Sequence, residues 1–210
     1  MIANISDAVG CANATSAVAC LRTVPVEELN AVINSTVTRG AGIGFVLDGD
    51  FLVDAPATQL NEGNFVHVPY LIGANSDEGT GFGPSGIQTT EEFLAYITQS
   101  NGVDNATAQD LAILYPDIPN IGLPASLPGR PDFSLGLQFK RSSALATDTS
   151  QMAPRRFATE MWAKHGVPAY SYRFNVIVNG QNYHYGVTHF QEVAFVFVSL
   201  RLAILVVCHS

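Results

Sequence analysis

Val68-Pro69-Tyr70-Leu71-Ile72-Gly73-Ala74-Asn75-Ser76-Asp77-Glu78-Gly79-Thr80 opens as a short apolar run and ends abruptly in small and acidic residues. The run is long enough for a buried strand, expected over residues 66–74. Its Gly-x-Asn-x-Asp-Glu-Gly ending places a carboxylate on a tight turn at the strand's C-terminal end. In open α/β sheets, ligands bind at that edge. An ordinary acidic surface turn has the same composition, so the stretch gains weight only from a second ending of the same kind, far downstream at His189.

The composition bounds the class. Of 210 residues, 47% are hydrophobic and 13% charged, the balance of a chain that forms a core. That length holds one large domain or two small ones. A net charge of -8 argues against nucleic acid as a partner, because such a partner needs a basic face. The ten Lys and Arg residues are scattered and form no cluster for an anionic membrane surface.

Along the chain, residues 20–34 read as one helix. Thr23 is its cap, Pro25 lies in its first turn, Glu27 and Glu28 sit at the positive dipole end, and Leu29, Val32 and Ile33 form its apolar stripe. Residues 39–49 are Gly-rich and irregular, closing in the turn signal Asp48-Gly49-Asp50. A short helix fits residues 56–63, and a Gly/Pro loop follows the acid turn over 79–86. Thr89-Thr90-Glu91-Glu92 reads as a capping box for a helix through Ile97, with another helix over 106–114. Residues 116–132 hold five prolines and read as loop. Helical spacing returns over 133–165 in two segments broken near 148–154. Phe157, Met161 and Trp162 share one face of the second, and Gly166 stops it. Residues 168–176 alternate as a strand should, and a loop leads from the Asn179-Gly180 turn to His189. The order of strand, acid turn, helices, strand and His loop is α/β logic.

The N-terminus lacks the basic start and apolar run of a secretory leader. Other features are extracellular in character. Four Asn-x-Ser/Thr sequons stand at Asn4, Asn13, Asn34 and Asn105, where composition alone gives roughly two. Cys11 and Cys20 flank a loop of small residues that a disulfide could close; two unpaired buried thiols are the alternative. Together these signals favour an oxidising compartment, and with it the expectation of a chain that lacks its beginning.

A carboxylate after one strand and a His after a later one form the second half of a Ser, Asp/Glu, His triad in α/β-hydrolase chain order. With that, the sequence resembles the C-terminal part of the type-B carboxylesterase, cholinesterase and fungal-lipase family. Ile72 to Gly79 matches the segment in which the family places its catalytic acid, here Glu78. Gly186-Val187-Thr188-His189-Phe190-Gln191-Glu192-Val193-Ala194-Phe195 matches the segment of the catalytic His, here His189, with an acidic residue three positions on. Cys11 to Cys20 resembles the family's second disulfide loop, and Asp48-Gly49-Asp50-Phe51-Leu52 its "DG-x-F-L" segment. The resemblance covers roughly residues 5–197. It implies an incomplete α/β-hydrolase fold in a domain over 1–197, a carboxylic ester of a small molecule or lipid as substrate, no cofactor and no metal, and secretion of the full-length parent.

The departures are specific. The family's Gly-x-Ser-x-Gly elbow and Gly-rich oxyanion loop lie upstream of the disulfide loop, so the resemblance implies an acid and a base but no nucleophile in this chain. The nearest mimic, Gly83-Pro84-Ser85-Gly86-Ile87, lacks the final glycine and follows the acid, which makes Ser85 a loop serine. Residues 198–210 form an apolar tail outside the family pattern. Arg201 interrupts it and it is too short for a stable membrane span; Cys208 and His209 acquire no role there. A truncated or read-through reading frame is the expectation. His67, His165 and His184 read as structural or solvated, and no spacing suits a metal. Two functions follow: the acid–base part of a serine esterase or lipase, or a catalytically inactive truncated or adhesion-type family member.

Overall fold

The structure, a computed structural model, describes residues 2–36 and 46–197. The tail over 198–210 and most of the Gly-rich stretch over 39–49 lie outside the described residues. The chain divides into two compact units, Met1–Ala55 and Pro56–Ser210.

The first unit carries α1 (Ile2–Ala8), α2 (Ala17–Leu21) and α3 (Val26–Ile33). Cys11 and Cys20 are disulfide-bonded across nine positions, with Cys11 buried. Ser16 caps α2 by accepting from the Ala19 N–H. The single helix expected over 20–34 is two helices. Pro25 is the reason, because its ring disfavours a helical Val24; it stands at the N-cap of α3 instead of in its first turn. Thr23 caps nothing, and its hydroxyl donates to the Cys20 carbonyl at 2.7 Å. Asp48 closes the expected turn by accepting from the N–H groups of Asp50, Phe51 and Leu52.

The second unit begins with α4 (Pro56–Glu62) and β1 (Tyr70–Asn75). The strand starts four residues later than the apolar run, because Pro69 has no N–H to give a ladder. α5 (Gly79–Phe82), α6 (Thr90–Asn101), α7 (Asn105–Leu114), α8 (Phe139–Thr147) and α9 (Ala153–Lys164) then carry the chain to β2 (Ala169–Phe174). β1 and β2 pair in parallel, from Tyr70 opposite Ala169 to Asn75 opposite Phe174. Parallel pairing needs such a long crossover, and it brings both strands' C-terminal ends to one edge.

Two expectations change in this unit. The start of the Gly/Pro loop over 79–86 is the short helix α5, packed so closely on α8 that a Cβ at Gly79 would lie 2.1 Å from the Ser143 carbonyl oxygen. The break near 148–154 is a π-helical turn, Asp148–Met152, with right-handed helical dihedrals at Thr147 and Ala153. A π turn keeps the helical rod going with a different bonding span, and Pro154 falls in the first turn of α9, where a missing N–H costs little.

The expected capping box is present: Thr89 Oγ1 accepts from the Glu92 N–H, and Glu92 reaches back to the Thr89 N–H. Phe93, Ile97, Ala108, Leu145 and Ile87 form a buried cluster between α6, α7 and α8. Arg141 lies 4.0 Å over the Phe93 ring and donates to the carbonyls of Ala112 and Tyr115, which ties α8 to the end of α7. On α9, Trp162 stacks against Phe65 and Tyr70 and donates to the Val68 carbonyl at 2.9 Å. That is core packing of the kind its spacing implies.

Candidate active site

β1 ends at Asn75, and the chain turns at once through Ser76, Asp77 and Glu78 into α5. All four residues are buried. The Asn75 backbone N–H donates to Glu78 Oε1 at 2.7 Å, which holds the carboxylate over the strand end. The other oxygen, Oε2, lies 2.7 Å from His189 Nδ1. An ionised carboxylate only accepts, so the bond puts a proton on Nδ1, and in the neutral ring Nε2 then presents its lone pair. The pair is asymmetric in exposure: the Glu78 side chain is 5% exposed and the His189 side chain 47%. The acid is sheltered from competing water while the base can meet a solute. Phe82, from the end of α5, packs on the imidazole with ring centroids 4.6 Å apart.

The His loop is held against the acid turn at three places. The Asp77 N–H donates to the Val187 carbonyl at 3.0 Å, and the Val187 N–H returns to Asp77 Oδ2 at 2.7 Å. Gly186, at φ 57, passes so close that a Cβ there would lie 2.4 Å from the same carboxylate oxygen. Thr80 Oγ1 donates to the Tyr185 carbonyl at 2.7 Å. Asn75 Nδ2 donates to the Thr188 carbonyl at 2.8 Å and to Glu192 Oε2 at 2.6 Å. Behind the turn, the Gly79 N–H donates to Thr147 Oγ1 on α8, and Arg173 Nε donates to Ser76 Oγ. Burial pushes the Asp77 carboxyl above its ordinary range, against the opposing pull of the Val187 N–H, Arg173 and Lys140. Phe190, next to the imidazole, has φ 75, the left-handed region that a bulky residue rarely occupies.

The two residues expected to act together, Glu78 and His189, therefore meet although 111 positions separate them. Ser85 is exposed on the loop after α5, and no bond joins it to His189. Among the described residues, no serine hydroxyl is hydrogen-bonded to the His189 ring, and no cluster of three or more His, Cys, Asp or Glu could hold a metal. His67 and His165 bond the carbonyls of Gly63 and Asn61, and His184 packs on Tyr183. Asn4, Asn13, Asn34 and Asn105 are all exposed. Sequence reasoning quoted Asn75 and Glu192 within the motifs but assigned them nothing. The available signal was an amide at a strand end and a carboxylate one turn after the His.

Comparison with known proteins gives a consistent answer. The sequence matches the carboxylesterase family over residues 1–204. It is 31% identical over 184 residues to "Secreted lipase 1" of Botryotinia fuckeliana, which covers 80% of this chain and 31% of that protein. It is 28% identical to "Lipase 2" of Geotrichum candidum, over 69% of this chain and 27% of the relative, and 31% identical to "Lipase 2" of Diutina rugosa, over 70% and 28%. The chain thus spans about a third or less of the length of these relatives. The crystal structure of Aspergillus niger EstA superposes with a TM-score of 0.67 at 20% identity, over 92% of this chain and 37% of that one. The fold is accordingly part of an α/β-hydrolase fold.

Proposed function

The chain belongs to the carboxylesterase family, and on that premise we propose that Glu78 and His189 are the acid and base of a serine ester hydrolase whose nucleophile lies outside this chain. The 2.7 Å contact between a buried carboxylate and a half-exposed imidazole carries the reading.

His189 Nε2 takes the proton of a serine hydroxyl as the serine oxygen attacks an ester carbonyl. The carbonyl π electrons move onto its oxygen to give a tetrahedral intermediate. Collapse breaks the bond to the leaving alkoxide, which receives the proton from Nε2, and an acyl-serine remains. Water repeats the cycle and releases the acid. Through both halves Glu78 holds Nδ1–H, keeps the tautomer and stabilises the imidazolium.

The test is a chimera in which this chain replaces the segment it matches in Botryotinia "Secreted lipase 1", assayed on p-nitrophenyl esters. His189→Ala and Glu78→Gln should each lower kcat by roughly 10⁴-fold, as loss of a triad member does. The 210-residue chain alone should stay at background. Turnover by it that Ser85→Ala abolishes would place the nucleophile within the chain and sink the reading.

The same premise supports a glycosylated, exported parent. Exposed sequon asparagines, the Cys11–Cys20 disulfide and a relative named a secreted lipase agree on it. Expression through a eukaryotic secretory route should give a mass that an endoglycosidase reduces; an unchanged mass would count against it.

A further inference from the structure

We infer that Asn75 and Glu192 are positioning residues that lock the acid and the base into one register; this rests on reading Glu78 and His189 as that pair. Asn75 is the last residue of β1 and is 1% exposed. Its backbone N–H fixes Glu78 Oε1, so the remaining carboxylate oxygen is the one turned to His189. Its side chain does a separate job. The two hydrogens of Nδ2 go to acceptors on either side of the histidine: the Thr188 carbonyl, one residue before it, and Glu192 Oε2, three residues after it.

Both partners are acceptors, which settles the amide's orientation: the NH2 must face them and Oδ1 must face away. Oδ1 is in fact buried with no partner. An unbonded buried acceptor costs free energy, so the fold keeps an amide here for its two donors. The bond to Glu192 is short, at 2.6 Å, and charge-assisted. With its donor buried and Glu192 half-buried, it meets less competition from water than such a bond at an open surface. The His189 side chain, by contrast, is 47% exposed and is followed by Phe190 at φ 75, a backbone conformation with little intrinsic preference. A histidine on such a loop needs anchors on both sides, and one amide supplies them. Asp77 and Thr80 hold the loop further upstream, at Val187 and Tyr185. Among the described residues, only Asn75 bonds the Glu192 carboxylate, three positions beyond the imidazole.

The experiment follows the His189 Nδ1–H resonance in the ¹⁵N-histidine-labelled full chain, assigned with His189→Ala, and measures its exchange with solvent. In the wild type it should be downfield and protected, and Glu78→Gln should abolish that protection. Asn75→Ala and Glu192→Ala should each speed exchange by about tenfold or more, the scale on which small misplacements act at such sites. Glu192→Gln, which keeps an acceptor oxygen, should remain within about twofold of wild type. A merely structural role would not distinguish Glu192→Ala from Glu192→Gln in this readout. Wild-type exchange in both alanine variants overturns the inference while leaving the acid–base pair intact. If Glu78→Gln changes nothing, the pair itself falls, and the positioning role with it. Should Asn75→Ala fail to fold, the two Glu192 variants decide.

Discussion

Asp77 and Glu78 are adjacent carboxylates on one turn, and the fold treats them differently. Glu78 faces the imidazole, while Asp77 turns away to receive the Val187 N–H and is 6% exposed. Burial raises its pKa, with Arg173 and Lys140 opposing. A carboxyl whose folded pKa exceeds its unfolded value binds its proton more tightly in the native state. Its contribution to stability is therefore complete below the unfolded value and is lost as pH rises through the folded one. Asp77→Asn keeps an oxygen for Val187 and removes the titration. The stability of the variant relative to wild type should therefore rise with pH from about 4, the ordinary Asp value, until the folded pKa is passed. Paired thermal melts across that range test it, and a difference that does not change with pH refutes it. At this same scale the site was only partly legible. Glu78 stood out as an ionisable group on the turn that ends a strand, and His189 as one on the loop that follows the second strand. Asn75 and Glu192 were fainter, because an amide at a strand end and a carboxylate one turn after the His acquire partners only once the strands are paired and the two loops meet.

At the scale of elements, legibility followed how local the cause is. The capping box of α6 was readable from Thr89 and Glu92, since its partners lie three residues apart and need no tertiary context. Thr89→Ala removes the acceptor for the Glu92 N–H and should cost about 1 kcal/mol. Chemical denaturation measures this, and a loss below about 0.3 kcal/mol would mean that packing of Phe93 and Ile97 alone sets the helix start. The failures were also local, but they arose from reading single residues against too simple a rule. The break expected near 148–154 is a π turn that delivers the chain to a position where Pro154 fits. Pro25, expected in the first turn of one helix, is the N-cap of α3 and stands between two. Thr23 has the residue type of a cap, but with Pro25 two residues on, no helix begins there to be capped. The glycines of residues 79–82 suggest a loop, yet at Gly79 the lack of a side chain is what lets α5 lie against α8.

For the whole molecule, the decisive feature is how little covers the sheet. Parallel strands are ordinarily buried on both faces. Here the face formed by Tyr70, Ile72 and Ala74 meets α9, through Trp162 and Arg155. The opposite face is closed at its C-terminal end, where Asn75 is buried and Phe174 packs on Phe195, but open before it. Register places Leu71 beside Tyr170 and Gly73 beside Tyr172, and Leu71 is 69%, Tyr170 63% and Tyr172 40% exposed. The Tyr172 ring lies over Gly73, filling the space a Cβ would take, but nothing comparable shields Leu71. The described residues contain no third strand to pair with either outer edge. An apolar face beside open edges is a template for association. The isolated chain should therefore bind a dye such as ANS and self-associate with rising concentration. Leu71→Lys combined with Tyr170→Lys should reduce both effects, because the two substitutions place like charges side by side on that face. Sedimentation and dye fluorescence give the answer together. A monomer at all concentrations with no dye signal would show that the open face is covered in solution by the chain itself. Association unchanged by the double substitution would instead locate it on another of the exposed apolar surfaces, such as that around Phe133 or Phe197.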